Sequence, residues 1–532
     1  MPDFIIPKMP DEGNDGLIDE KKAASVASAS PPPPVLKDPM SLKERVKERL
    51  FSLRDWALSL PPEWKVYLRK AAIAALIIIP LVFFGSLLFA WLIHRPIPEK
   101  ICEFNTHDRF LVTIFEPAMR IFYFYPSKLC WNTQCLTSFT QTVYEAIIAL
   151  GTTIVIPLTN PLKTWRDWRS PLEIATDHLD GVEVRTYLLP NGLAKSNATI
   201  VYMHGGGFLI GRAWMADGLM RDVAESVEPR LIVSIDYRRT PETVFPGAIN
   251  DCTKVIQYLM VNGHKRFGID PSKIVVLGDS AGGNLAAAMA RRFANGTMGK
   301  YPLLGQVLVH PALQFSDWQT PSHLQFGSAT EDLAFLNPSQ VALFMLLYAG
   351  VDVSAHPKYI EAVVENTHVS PKATALRQKL MNPCLLPERF RPEAKKREEF
   401  THNDELADLL ENHLMDPDFA PLMATNLSGL PSALIITVET DILRDDGIFY
   451  AQRLEAAGVN VTWTHVEEGF HGVFHMHRSL DISIPGVDEI ADMLENADED
   501  QLGRMFDKAA QTAKSLAENM QFSLPGAGII GK

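Results

Sequence analysis

The segment Ile274-Val275-Val276-Leu277-Gly278-Asp279-Ser280-Ala281-Gly282-Gly283-Asn284 runs an unbroken apolar stretch into G-x-S-x-G, and Leu285-Ala286-Ala287-Ala288 follows. Consecutive Ile, Val and Leu residues suit a strand covered on both faces, and the alanine-rich continuation suits a helix. The serine therefore falls on a sharp strand-to-helix turn, where flanking glycines leave room for elements that approach too closely for side chains. An ordinary glycine-rich turn would not account for the strand before it and the helix after it. A serine so held is a candidate nucleophile, and it requires a parallel sheet around it.

The chain supplies that sheet. From Val182 onward, short β-rich runs at 198–203, 231–235, 274–277, 306–309, 433–438 and 461–465 alternate with helical patterns, as expected of mostly parallel strands with crossover helices on both faces. Between 317 and 430 the rhythm gives way to helical and irregular pieces such as 336–348, which read as a helical cap inserted over the sheet. The expected organisation is a core in two parts, 182–316 and 431–486, the cap insertion 317–430, and a C-terminal helix and tail at 487–532 with no chemistry assigned. A chain of 532 residues, 47% hydrophobic and 21% charged, has room for one large domain with such appendages, or for several smaller ones.

An acyl-transferring serine needs donors for a developing oxyanion. The predicted strand Thr199-Ile200-Val201-Tyr202-Met203 ends in His204-Gly205-Gly206-Gly207-Phe208, where glycines free backbone N–H groups to face a reacting oxygen. Gly206 and Gly207, with Ala281 beside the serine, are the candidate donors; His204 reads as a hydrogen-bonding residue of the loop and not a base. A phosphate-binding loop would continue as G-K-[ST] or G-x-G-x-x-G, which is missing here. A base and its orienting acid should follow late strands, in the order Ser, acid, His. Asp441 follows run 433–438, and His471 follows run 461–465, in Glu468-Gly469-Phe470-His471-Gly472. Asp445 and Asp446 are rival acids, placed about one turn into the next helix. His465, His475 and His477 cluster near His471 but lack H-E-x-x-H spacing or a cysteine partner, so no metal is expected; no cofactor is expected either.

Residues 71–93 (AAIAALIIIPLVFFGSLLFAWLI) carry no charge and are long enough to cross a hydrocarbon core of about 30 Å. They read as a single-pass transmembrane helix, with Pro80 tolerated as a kink. Residues 1–40, with Pro31-Pro32-Pro33-Pro34, read as a disordered tail, and 41–70 as a basic amphipathic helix, either attached to an anionic membrane surface or solvated. Lys and Arg are denser before the span than after it, which favours a cytosolic N-terminus. The sequons at Asn197, Asn295, Asn426 and Asn460 agree with a lumenal catalytic region. Residues 94–181 form a connector and N-terminal cap region; within them the short apolar run 146–158 suits a buried or interfacial helix. A net charge of −13 argues against nucleic acid as a partner. Five cysteines are too few for a disulfide scaffold; Cys130 and Cys135 are close enough in sequence to pair in an oxidising lumen.

Beyond these motifs, Asp236-Tyr237-Arg238-Arg239-Thr240-Pro241-Glu242, Phe245-Pro246 and His310-Pro311-Ala312-Leu313-Gln314 complete a pattern that spans about 182–479. In it the chain resembles the hormone-sensitive-lipase-like α/β-hydrolases, within them the arylacetamide deacetylase and neutral cholesterol ester hydrolase branch. The resemblance implies an α/β-hydrolase fold with a cap drawn from about 108–158 and the insertion. It implies a Ser280–His471–Asp441 triad, supported by Gly205, Gly278, Asp279 and Gly282. It also implies a signal-anchored protein of the endoplasmic reticulum membrane, type II with a lumenal catalytic domain, acting on lipophilic esters or amides. Segment 351–418 is longer and more charged than that pattern leads one to expect. A serine peptidase of the same fold and an inactive, membrane-tethered binding protein are the alternatives. The glycine loop after His204 and the absence of propeller-like repeats argue against the first, and the filled triad positions against the second.

Overall fold

The computed structural model describes residues 84–85, 132–155, 157, 160–294, 298–331, 336–391, 402–476 and 488–490. The chain divides into two units, Met1–Ala75 and Leu76–Lys532, and every described residue belongs to the second. Phe84 and Gly85 are helical, but the rest of the expected span 71–93 lies outside the described residues, as do 1–40, 41–70 and Asn295. Among the described residues no helix is long and apolar enough to cross a membrane.

Helix α1 (Thr133–Leu150) starts at Asn132, whose side chain accepts the Cys135 amide at 2.7 Å, and runs on into a π-turn at Gly151–Val155. The described part of the apolar run, 146–155, is therefore the end of a longer helix. After α2 (Pro161–Arg169) comes an eight-stranded sheet: β1 (Glu173–Leu179), β2 (Val182–Leu188), β3 (Ser196–Met203), β4 (Pro229–Ile235), β5 (Ile274–Asp279), β6 (Gly305–Val309), β7 (Ser432–Thr440) and β8 (Val461–Phe470). Its order is β1-β2-β4-β3-β5-β6-β7-β8, with β1–β2 and β2–β4 antiparallel and every other pair parallel.

All six expected strands are present. The sheet begins earlier than expected, however, because β1 lies within the segment assigned to the connector 94–181. Its sequence, Glu-Ile-Ala-Thr-Asp-His-Leu, buries only Leu179 fully, so an edge strand solvated along most of its length shows no apolar run.

Helices α4 (Gly247–Phe267), α5 (Ala281–Phe293) and α11 (Arg444–Ala456) pack on one face of the sheet, and α3 (Asp217–Val227) on the other. Two apolar clusters result, one on each face, as strands such as β4, buried at every position, require. Between β6 and β7 the chain builds α6 (Pro321–Glu331), α7 (Pro338–Tyr348), α8 (Lys358–Val364), α9 (Pro371–Leu380) and α10 (Asp404–Met415), the helical insertion expected at 317–430. Helix α1 joins this layer from the N-terminal side: Thr133 Oγ1 donates to Asp352 at 2.6 Å.

Cys135, Cys252 and Cys384 are free thiols. Cys130, the prospective partner of Cys135, lies outside the described residues, as does Cys102.

Candidate active site

Ser280 sits between β5 and α5 with φ 55° and ψ −120°, a backbone region that costs a non-glycine residue about 1–3 kcal/mol and persists only where surroundings enforce it. The surroundings are visible. Ser280 N–H donates to Val309 O at 2.9 Å, and Ala312 N–H donates to Ser280 O at 3.1 Å. A Cβ on Gly278 would overlap the Gly282 carbonyl, and one on Gly282 would overlap the carbonyls of Met203 and His204. The flanking glycines are thus imposed by close backbone approach, which lets the β5–α5 turn lie directly on the end of β3.

Strands β7 and β8 deliver the other two members. Thr440 is registered with Phe470 after a shift in the ladder beyond Val438, so the next residue of each strand, Asp441 and His471, emerges beside the other. His471 Nδ1 is 2.9 Å from Asp441 Oδ2, and His471 Nε2 is 2.8 Å from Ser280 Oγ. Asp441 also accepts the Leu443 amide at 2.9 Å. Burial works to raise its pKa, but the His471 imidazole and its hydrogen bond outweigh that and hold the carboxyl below the usual range.

The rival acids have other work. Asp446 accepts Leu313 N–H at 3.0 Å and Gln314 Nε2 at 3.1 Å, and Asp445 accepts Ser322 N–H at 2.7 Å. Burial raises both carboxyls above their ordinary pKa. They anchor the loop after β6 and the start of α6 to α11.

The oxyanion loop follows β3. Gly206 and Gly207 have φ of 117° and 60°, conformations that suit glycine. Among the described residues the N–H groups of Gly206, Gly207 and Ala281 donate to no protein acceptor. A Cβ on Gly207 would enter the ring of Phe344, which brings cap helix α7 onto the loop. His204 is engaged within the loop: its Nδ1 donates to Gly205 O at 2.9 Å, its ring stacks on Tyr237 at 4.3 Å, and burial lowers its pKa. Behind the loop, Gln141 Nε2 of α1 donates to Leu209 O and Thr240 O, each at 3.0 Å, and Glu145 pairs with Arg212 and Arg239.

Three residues near the triad were not given roles from the sequence. His310 is fully buried 4.4 Å from the His471 ring, and burial pushes its pKa down to about 3. Tyr202 and His475 both bond to Asp279. His475 lies in the histidine group weighed above as metal ligands, but Asp279 is far from it in sequence, so no local signal couples them.

Donor atoms of His310, Asp441 and His471 lie within 4.8 Å of one another, as do those of Glu439, His465 and Glu467. In the first group Asp441 and His471 are committed to each other. In the second His465 bonds Thr437 and Glu439, and Glu467 pairs with Arg389. Of the sequons, Asn197 and Asn426 are exposed and Asn460 is half-buried.

A protein-family model described as alpha/beta hydrolase fold matches residues 200–376 and 377–475. Neutral cholesterol ester hydrolase 1 of Bos taurus is 37% identical over 316 residues, 57% of this chain and 75% of that protein. Arylacetamide deacetylase of Mus musculus is 35% identical over 300 residues, 56% of this chain and 73% of that protein. Among solved structures, a hyperthermophilic esterase from the archaeon Pyrobaculum calidifontis aligns with a TM-score of 0.47 at 25% identity, over 68% of this chain and 91% of that one.

Proposed function

Because the chain belongs to the α/β-hydrolase fold family, we propose that it is a membrane-anchored serine hydrolase that cleaves lipophilic carboxylic esters, or closely related amides, through an acyl-enzyme. The observation that carries this reading is the unbroken Asp441–His471–Ser280 hydrogen-bond chain, which ends on a serine in a strained elbow.

Ser280 Oγ attacks the ester carbonyl carbon as its proton passes to His471 Nε2. The carbonyl electron pair moves onto oxygen, where the Gly206, Gly207 and Ala281 amides receive it. Collapse breaks the bond to the alkoxy group, which leaves as the alcohol with the proton from His471. Water then gives a proton to His471 and attacks the Ser280 ester. The carboxylic acid departs, and the proton returns to Ser280. Asp441 holds the imidazole in the tautomer with Nδ1 protonated and stabilises the imidazolium. No step calls for a cofactor.

Three observations support a lipophilic substrate: the uncharged span 71–93, the cap helices above the site, and relatives named for sterol-ester and arylacetamide hydrolysis. Acylglycerols, sterol esters and arylacetamides are the candidate classes. The charge asymmetry around 71–93 and the exposed sequons at Asn197 and Asn426 support a type II protein with the site in the lumen of the endoplasmic reticulum.

Ser280→Ala should abolish both p-nitrophenyl ester hydrolysis and labelling by a fluorophosphonate probe; wild-type turnover in that variant would end the assignment. Endoglycosidase should increase the gel mobility of the expressed chain, and unchanged mobility would count against lumenal placement.

A further inference from the structure

The carboxylate next to the nucleophile takes no part in the reaction above. Asp279 nevertheless gathers three donors from three places: Tyr202 Oη at 2.6 Å from β3, Gly205 N–H at 3.0 Å from the oxyanion loop, and His475 Nε2 at 2.9 Å from the turn after β8. A Cβ on Gly205 would overlap the Asp279 carboxylate, so the loop rests directly on it. Asp279 thereby joins the peptide of the nucleophile to the first glycine of the loop whose next two amides face the reacting oxygen.

Charge gives this junction a second property. Burial works to raise the Asp279 pKa, but the His475 imidazole outweighs it and holds the carboxyl well below its usual range. Burial likewise works against the His475 charge, and Asp279 outweighs it and raises that pKa. Three phenols and two imidazoles also act on Asp279. Burial pushes up the phenols of Tyr144, Tyr202 and Tyr237, and pushes down the imidazoles of His204 and His310. The side chain of Asp279 is 6% exposed and that of His475 30%. Bulk protons thus reach the imidazole, which in turn sets the net charge around a buried carboxylate. An uncompensated anion beside the hole would oppose the oxyanion that forms there.

We propose that His475 is a positioning residue that acts through Asp279, holding the oxyanion loop and cancelling the carboxylate charge, so that turnover falls when His475 loses its proton. This rests on the reading of Gly206, Gly207 and Ala281 as the oxyanion hole.

The test uses the full chain and p-nitrophenyl acetate from about pH 6 to pH 10, with fluorophosphonate labelling of Ser280 to count active sites. Wild-type kcat per labelled site should fall along an alkaline limb. His475→Gln keeps a donor without the charge: kcat at the acid end should drop about 10-fold with KM changed by less than about 3-fold, and the limb should vanish. His475→Phe, with neither donor nor charge, should drop about 100-fold. Wild-type kcat and an unchanged limb in His475→Gln would overturn the proposal. So would a wild-type profile level to about pH 10, a result that needs no variant to fold. Failure of the probe to label wild-type Ser280 would instead overturn the hydrolase reading.

Discussion

Neighbouring backbone enforces the geometry of Ser280, the proposed nucleophile, so the sharpest tests at the residue scale are on atoms that are missing. Gly282 lies under the carbonyls of Met203 and His204, the last of β3 and the first of the oxyanion loop. Both are backbone atoms in a packed sheet end and cannot rotate away. Gly282→Ala should displace the loop relative to Ser280 and lower kcat by about 100-fold or more, the cost of roughly 1 Å of misplacement at a reacting centre; steady-state kinetics on a p-nitrophenyl ester would measure it. Ser280, Asp441 and His471 were legible in the sequence because each follows a predicted strand and the order of the three is set by the fold. His475 was legible only as one histidine in a cluster. Its partner Asp279 lies 196 positions away, and only the topology brings the two together.

Among the elements, α11 links catalysis to stability. Its first turn holds Asp445 and Asp446, and Asp446 satisfies the Leu313 and Gln314 amides of the loop after β6. That loop also supplies the Ala312 amide that pins Ser280 O. Asp446→Ala would strand these buried donors and should cost about 2–4 kcal/mol, read as a lower midpoint in urea, with activity lost alongside. The sequence places Asp446 about one turn into a helix, as a rival to Asp441 for the triad acid. Its real work depends on a loop distant in sequence. Strands β3 to β7 could be read directly because strands covered on both faces show continuous apolar runs, and β8 from its β-branched and aromatic residues; β1 could not, because most of it faces solvent and its pairing with β2 is what defines it.

For the whole molecule, the Asp279–His475 pair predicts a pH window. A carboxyl held below its unfolded value contributes stability that is present above about pH 4 and is lost as pH falls through the folded pKa. A histidine raised above its unfolded value contributes stability that is complete below about pH 6.5 and is lost as pH rises through the folded pKa. The pair is therefore at full strength between those limits, and wild type should lose thermal stability above them. Asp445 and Asp446, raised by burial, slope the curve of any variant equally. The difference in Tm between wild type and His475→Gln isolates the pair, and it should be largest inside the window and shrink on the alkaline side.

The grip of α1 on the oxyanion loop has a consequence for any attempt to isolate the catalytic part. A fragment that starts at Glu173 holds every strand and all three triad members. It would nonetheless lack Gln141 and Glu145, which brace Leu209, Thr240, Arg212 and Arg239 from behind. A competent piece should therefore include α1, upstream of the whole sheet. Trimming to the sheet would keep every reacting group and remove the buttress against which they are aligned.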